Sequence, residues 1–354
     1  MYLSQTGVLH HDQQRATPGF TLVGGIRGFT VNLIDNFGSV VHSWRLPGRL
    51  GSYARLLPGG NLLASVVVEG GFPGARARGG RIIELNWDGE VVWEFTDPMQ
   101  HHDIRRLPNG NTLYIGWQPM QKEQQVRVQG GIPGSEPNGV IHEDYIREIT
   151  PAGEVVWNWS ASQLEIESYP IASGTDRGEF AHCNTINPID DEHVMVCFRN
   201  TNTIGIIERA SGNMVWKKQD HHWGHPHDPQ ILRNGNILLF CNGAHDEAQP
   251  HFSYLVELDR QTGDEVWRYQ APIPWHFYSH VMSGANELPS GNLLVIQSAA
   301  GRVFEITRAG EVVWDYVNPV FEGYFPTAKR PVNCVFRAFR YQADSPELEG
   351  RVLV

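Results

Sequence analysis

The chain has 354 residues, 41% of them hydrophobic and 10% aromatic, which is enough for a sizeable core and too apolar for a disordered chain. Its net charge is −11, only Lys122, Lys217, Lys218 and Lys329 are lysines, and no basic run occurs, which argues against a nucleic-acid surface. No apolar run nears the roughly 18 residues that span a membrane, and Cys183, Cys197, Cys241 and Cys334 form no C-x-x-C pair, so they are expected as free thiols in a reducing compartment.

Residues 1–17 lack a basic stretch followed by an apolar one. They are expected to be a frayed extension rather than a signal peptide, which points to a cytoplasmic protein. From residue 18 onward a phrase close to G-x-V-V-x-W recurs six times, starting at Gly38, Gly89, Gly153, Gly212, Gly263 and Gly310. Its tryptophans are Trp44, Trp93, Trp157, Trp216, Trp267 and Trp314. The spacings of 51, 64, 59, 51 and 47 residues mark an internal repeat.

A second phrase alternates with the first: Leu57-Pro-Gly-Gly-Asn61, Leu107-Pro-Asn-Gly-Asn111, Leu232-Arg-Asn-Gly-Asn236 and Leu288-Pro-Ser-Gly-Asn292, with a degenerate copy at Asn187-Pro-Ile-Asp-Asp191. These are hairpin turns, because Gly and Asn accept positive φ at little cost. Short Val-, Ile- and Leu-rich runs flank them, so each repeat holds two hairpins, or four strands. Six such repeats predict an all-β fold, a six-bladed β-propeller occupying 18–354 as a single domain. The chain enters with a second hairpin at 29–44 and ends with what reads as a first hairpin at 333–341 and 351–354, so pairing of the two ends is expected to close the ring.

In a propeller the innermost strand of each blade faces the axis. Counting back five residues from the first residue of each turn phrase reaches Ser52, His102, His182, His227 and Ser283 in blades one to five. Three histidines at one position in consecutive blades point to a functional cluster, with His280, in a shifted register, beside it. Asp103 and Asp228 follow two of them and point to the opposite face, where a structural bond is expected. His42 and His193 read as structural. His221, His222, His225, His245 and His251 surround the inner strand of blade four, and spacing does not choose among them.

Converging imidazoles suit two chemistries. One is nucleophilic and acid–base catalysis without a cofactor. The other is a metal site in which His102, His182, His227 and His280 hold Zn, Cu or Fe for a lyase, hydrolase or oxygenase reaction. A third reading is a binding propeller without catalysis. Arg199, ending the strand after His182, is a permanent forked donor for an oxyanion, or else an inter-blade ion-pair partner. Arg302, Arg337 and Arg340 are further candidates for which the ion-pair reading is preferred. Trp117, Trp223, Trp275 and Tyr278 lie near the inner strands and would build a slot for an aromatic small molecule, or pack between blades.

These residues resemble the bacterial arylsulfotransferase family, of the short single-domain type. The likeness runs from about Pro18 to Tyr341 and is carried by the 29–44 opening, His182-Cys-Asn184 with Phe198-Arg199, His227-Asp228, and 283–319. The resemblance implies a six-bladed propeller that moves a sulfuryl group from one phenolic ester to another phenol through a covalent sulfohistidine. It implies His227 as the accepting histidine, Arg199 and His182 as ligands of the sulfuryl oxygens, and His102 as a sulfate-binding or proton-handling group. His280, Trp223, Trp275, Tyr278 and Trp117 would line the substrate. The expected departures from that family are that no export signal, extra N-terminal β-domain or disulfide is evident in the sequence.

Overall fold

The computed structural model describes residues 5–71, 77–243, 251–323 and 330–353. The fold is nearly all β, of the six-bladed β-propeller class: each blade has four antiparallel strands, two blades carry a fifth strand, and a small two-stranded sheet stands apart. Blade one is Leu50–Leu56, Leu62–Val67, Gly80–Leu85 and Val91–Thr96. Blade two is Gln100–Arg106, Thr112–Pro119, His142–Ile149 and Val155–Ser160. Blade three is Cys183–Pro188, His193–Phe198, Thr203–Glu208 and Met214–Gln219, and blade four is His227–Ile231, Ile237–Cys241, Tyr254–Leu258 and Glu265–Tyr269. Blade five is Gly284–Glu287, Leu293–Gln297, Arg302–Ile306 and Val312–Val317. Blade six combines Val335–Tyr341 with Phe20–Gly25, Thr30–Ile34 and Val40–Arg45. The chain divides into two compact units, one holding blades one, five and six and the other blades two, three and four.

The two repeated phrases each have a physical job. In the turn phrase, Gly60, Gly110, Gly235 and Gly291 sit at φ of 85–89°, a conformation glycine reaches without a Cβ penalty. The turn then closes by a backbone bond of 2.8 Å, as from Leu107 N–H to Asn111 O and from Leu232 N–H to Asn236 O. The terminal Asn reaches a Glu on the third strand of its own blade: Asn61 donates to the half-buried Glu84, Asn236 to the buried Glu257 and Asn292 to the buried Glu305, each at 2.7 Å. A carboxylate bonded to its own hairpin ties the first half of these blades to the second. In the other phrase, the indole N–H of Trp44, Trp157 and Trp314 donates to a backbone carbonyl of the next blade, at Asn86, Arg209 and Asn36. The tryptophan therefore holds blades together as well as filling the space between them.

Apolar clusters fill the interfaces inside each unit. Leu113, Ile115, Trp159, Ile186, Val196 and Phe198 pack blade two on blade three. Met195, Cys197, Ile204, Leu239 and Val256 pack blade three on blade four. Two segments of blade two depart from the repeat. Gly130–Ile132 and Ile171–Asp176 pair in parallel, and Glu179–Phe180 runs parallel to the start of His142–Ile149. Arg177 anchors this excursion by donating to Glu136 Oε1 and to the carbonyl of Val128.

Three expectations need correction. Closure uses one C-terminal strand, Val335–Tyr341, against three N-terminal strands, not two hairpins. Phe20–Gly25 carries the buried Thr21, Leu22 and Val23 and takes the second place in the blade. The stretch 342–350 is bends and turns, and 351–353 form no strand. The N-terminal extension is not frayed at 7–11: Gly7–His11 adds a fifth strand to blade five by pairing with Val312–Val317. In blade three the turn bond runs from Ile189 N–H to His193 O, so the degenerate turn is Ile189–His193, two residues later than the sequence suggests.

Asn236→Ala should lower stability by about 1–3 kcal/mol, because Glu257 then keeps a desolvated carboxylate with one donor fewer. Val266→Ala, on an exposed outer edge, should change it by less than about 0.5 kcal/mol. Chemical denaturation midpoints of the two variants measure the contrast.

Candidate functional site

The inner strands of blades two, three and four lie side by side, with Cys183–Pro188 against both Gln100–Arg106 and His227–Ile231. Each carries a break in register against its partner strand, at Tyr114/Ile115, Cys183/Thr185 and His227/Gln230. A bulge places two residues opposite one and overrides the strict alternation of side chains. His102 and His182 occupy left-handed backbone, at φ of 48° and 62°, and so do His225 at 68° and Asp228 at 56°. Such conformations cost on the order of 1–3 kcal/mol each in residues other than glycine and persist only where surrounding contacts hold them.

With the blade-three turn correctly placed, the residue in register with His102 and His227 is Asn184, not His182. His182 lies two residues earlier and shares its register with His225 and Gln100. The bulge nonetheless brings His182 to His102, with ring centroids 4.9 Å apart and the rings edge to face. Asn184 is fully buried and donates to the carbonyl of Pro226, tying blade three to blade four.

His227 is held by two acceptors. Its Nδ1 lies 2.7 Å from Asn242 Oδ1 and 3.0 Å from the carbonyl of His225. The orientation of Asn242 is set by its amide N–H, which donates to the carbonyl of Ser279 at 2.7 Å. Both groups facing Nδ1 are therefore oxygen acceptors, so Nδ1 carries the proton and the neutral ring has its lone pair on Nε2. His225 donates its backbone N–H to Asn202 Oδ1, and its Nε2 lies 3.0 Å from Thr175 Oγ1.

On the blade-two side, His101 Nδ1 and His102 Nδ1 are 2.6 Å apart, and His101 Nε2 is 3.2 Å from Asp144 Oδ1. His101 stacks on Trp117, with centroids 3.6 Å apart. Burial pushes the His101 imidazole below its ordinary pKa, and the ion pair with Asp144 opposes that shift. His182 Nδ1 forms an ion pair with Glu179 Oε2. Burial would push the Glu179 carboxyl up, but His182, with smaller contributions from His101 and Arg199, outweighs it and holds the group below its usual value. Arg199 donates its backbone N–H to the carbonyl of His182 and its guanidinium to Asn200 Oδ1, while Asn200 holds the carbonyl of Glu179. Arg199, Glu179 and His182 thus belong to one charged cluster at the mouth of blade three.

Asp103 and Asp228 serve the architecture. Asp103 accepts the backbone N–H of Ile186 at 3.0 Å and pairs with Arg105. Asp228 accepts from Gln230 and donates its backbone N–H to Thr185 Oγ1. The aromatic candidates divide. Trp117 is buried against His101, while Trp223 sits in the core between blades three and four, packed with Cys197 and Tyr254. Trp275 is 68% exposed. Tyr278 lies between His251 and His280, with centroids 6.1 and 6.4 Å away, and His280 is exposed.

Among the described residues no group of three or more His, Cys, Asp or Glu side chains is placed to hold a metal, so His102, His182, His227 and His280 do not form one coordination sphere. Each of the imidazoles His101, His182 and His227 instead turns a ring nitrogen to an oxygen acceptor. His245 lies outside the described residues. Arg302 and Arg340 pair with Asp315 and Glu305, and Arg337 donates to the carbonyl of Ser283. Burial pushes the thiols of Cys183 and Cys241 well up, which makes them poor nucleophiles beside the histidines.

Sequence reasoning missed Asn242, Asp144 and Glu179 as partners of the histidines. Glu179 stands three residues before His182 and His101 directly before His102, so both lie within local reach of the sequence. Asn242 and Asp144 reach their histidines from other strands, and no local signal marks them.

The family model for arylsulfotransferases (ASST) matches residues 56–319. No curated protein matches the chain significantly. Among solved structures, a protein of unknown function from Bacteroides caccae is 19% identical, with a TM-score of 0.57 over 85% of this chain and 94% of that one. A streptogramin B lyase structure is 12% identical, with a TM-score of 0.50 over 90% of this chain and 84% of that one. At these identities the likeness is one of fold.

Glu179→Gln should flatten the acid limb of the stability curve. A carboxyl held low in the folded state stabilises it fully above its unfolded value of 4.5 and loses that contribution as pH falls through the folded value. Denaturation midpoints between about pH 5 and about pH 3 should fall less in the variant than in the parent.

Proposed function

The chain belongs to the arylsulfotransferase family, and from that membership we propose that it transfers a sulfuryl group from an aryl sulfate to a phenol through a covalent sulfohistidine on His227. The observation that supports this most is the Nδ1 environment of His227. Asn242 and the carbonyl of His225 hold the ring proton at Nδ1, so the nucleophilic lone pair belongs to Nε2.

In the first half-reaction the Nε2 lone pair attacks sulfur. The N–S bond forms, the bond from sulfur to the aryl oxygen breaks, and the leaving phenol takes its electron pair and a proton. In the second, the acceptor phenol gives up its proton, its oxygen attacks sulfur, and the N–S bond breaks to restore His227. No electrons enter or leave, and the proton lost in one half-reaction is regained in the other, so the chemistry needs no cofactor. Arg199 and the charged form of His182, backed by Glu179, would neutralise charge gathering on the sulfuryl oxygens. His102 would carry the proton between the two phenols. The substrates are small aromatic molecules, with Tyr278 and Trp275 as aromatic surfaces nearby in the sequence reading.

The proposal predicts ping-pong kinetics. His227→Ala should lower kcat with an aryl sulfate by about a thousandfold or more. Asn242→Ala should lower it by about 10–100-fold by releasing the ring from its tautomer. Steady-state kinetics with para-nitrophenyl sulfate and phenol measure both, and an active His227→Ala protein would sink the assignment.

A further inference from the structure

We propose that Asp144 and His101 are positioning residues that act through His102, forming a buried Asp–His–His relay that fixes His102 with its proton on Nδ1 and Nε2 facing the reaction. The inference rests on the sulfuryl-transfer reading above and gives that reading its proton path.

The relay is buried, with only its reacting end reaching the surface: Asp144 and His101 are 0% exposed and His102 is 3% exposed. Asp144 Oδ2 accepts the backbone N–H of Cys183 at 2.8 Å, which fixes the carboxylate and turns Oδ1 to His101. Oδ1 faces His101 Nε2 at 3.2 Å off the line of a hydrogen bond, so the carboxylate acts on the ring through its charge. A carboxylate only accepts, so the proton of His101 belongs on Nε2. A neutral His101 then presents a lone pair at Nδ1, and the 2.6 Å contact requires His102 to be the donor from its own Nδ1. Burial of His101 favours that neutral ring, and the stack on Trp117 holds its plane.

His102 is left with a lone pair on Nε2 when neutral and an Nε2–H when charged. The charged ring protonates the departing aryl oxygen in the first half-reaction. The neutral ring takes the proton of the acceptor phenol in the second. Through both steps the Nδ1–H stays bonded to His101, and the Asp144 carboxylate stabilises the charge that His102 gains and loses. Among the described residues, the ionisable groups around His102 are His101 and Asp144 of blade two, Arg78 paired along the backbone with His101, Glu179 of the blade-two excursion, and His182 and Arg199 of blade three. The bulge in Gln100–Arg106 makes the relay geometrically available, because an unbroken strand would send the two adjacent rings to opposite faces.

Asp144→Asn reverses the relay. The Cys183 N–H keeps a carbonyl oxygen at its position, so the new amide N–H faces His101 Nε2, and both imidazoles are driven into the opposite tautomer. The test compares kcat/KM for donors with good and poor leaving groups. With phenyl sulfate, whose leaving group needs a proton, Asp144→Asn should lose about 100-fold or more. With para-nitrophenyl sulfate, whose phenolate leaves unaided, the loss should stay within about tenfold. An equal loss for both donors would mean a merely structural role, and no loss would overturn the relay. Ring nitrogen-15 NMR of the unmodified protein gives a second reading that needs no activity. Neutral His102 should carry its proton on Nδ1, and an Nε2–H tautomer would overturn the proposal even if the variant fails to fold. A parent protein that transfers no sulfuryl group but shows the Nδ1–H signal would sink the reaction and leave the relay.

Discussion

An imidazole buried in a β-strand must commit its ring proton to a partner, and the candidate site depends on how this chain meets that demand. His227 turns Nδ1 to Asn242 and to the carbonyl of His225, and His182 turns Nδ1 to Glu179. His101 sits between Asp144 and His102. In each case the partner is an oxygen acceptor, or a nitrogen made an acceptor by one. The consequence is chemical as well as structural. In His227, where Nδ1 is spent on the protein, the neutral ring keeps its lone pair on Nε2, and an unpartnered buried ring would have cost the folded state on the order of 1–3 kcal/mol.

The backbone is bent to make this possible. Left-handed residues at His102, His182 and His225, and register breaks on three successive inner strands, are unfavourable features for a sheet. They are offset by the architecture around them. Asn-to-Glu bonds inside blades, indole-to-carbonyl bonds between blades, and Asp103 on Ile186 hold the inner strands from several sides. The excursion of blade two, anchored by Arg177, delivers Glu179 and His182 to the same place. Strain and reactive groups coincide there, as they do where function constrains a fold.

Much of this was legible in the sequence, for definable reasons. The four-strand period was readable because Gly and Trp recur at fixed places in local turns whose geometry needs no distant partner. The turn of blade three was misplaced by two residues because Ile189-Asp-Asp-Glu-His193 has no glycine to mark it, and His182 was therefore assigned a register that belongs to Asn184. For Trp223 the sequence left a substrate wall and packing between blades both open, because its exposure depends on blade three, which its own neighbours in sequence do not reveal. Asn242 and Asp144 were invisible for a similar reason, since each is a side chain on one strand serving a ring on another. Ring closure was half right: the two ends do pair, but the partition is one strand against three, set by the apolar face of Phe20–Gly25.

The central claim is that His227, by virtue of its committed Nδ1, carries the transferred group on Nε2. The most direct measurement is to expose the protein to an activated aryl sulfate without acceptor and locate the added sulfuryl group by peptide mass mapping under conditions that preserve the N–S bond. The account predicts a single adduct on His227 that disappears when phenol is added. An adduct on another residue, or none while transfer proceeds, would contradict it.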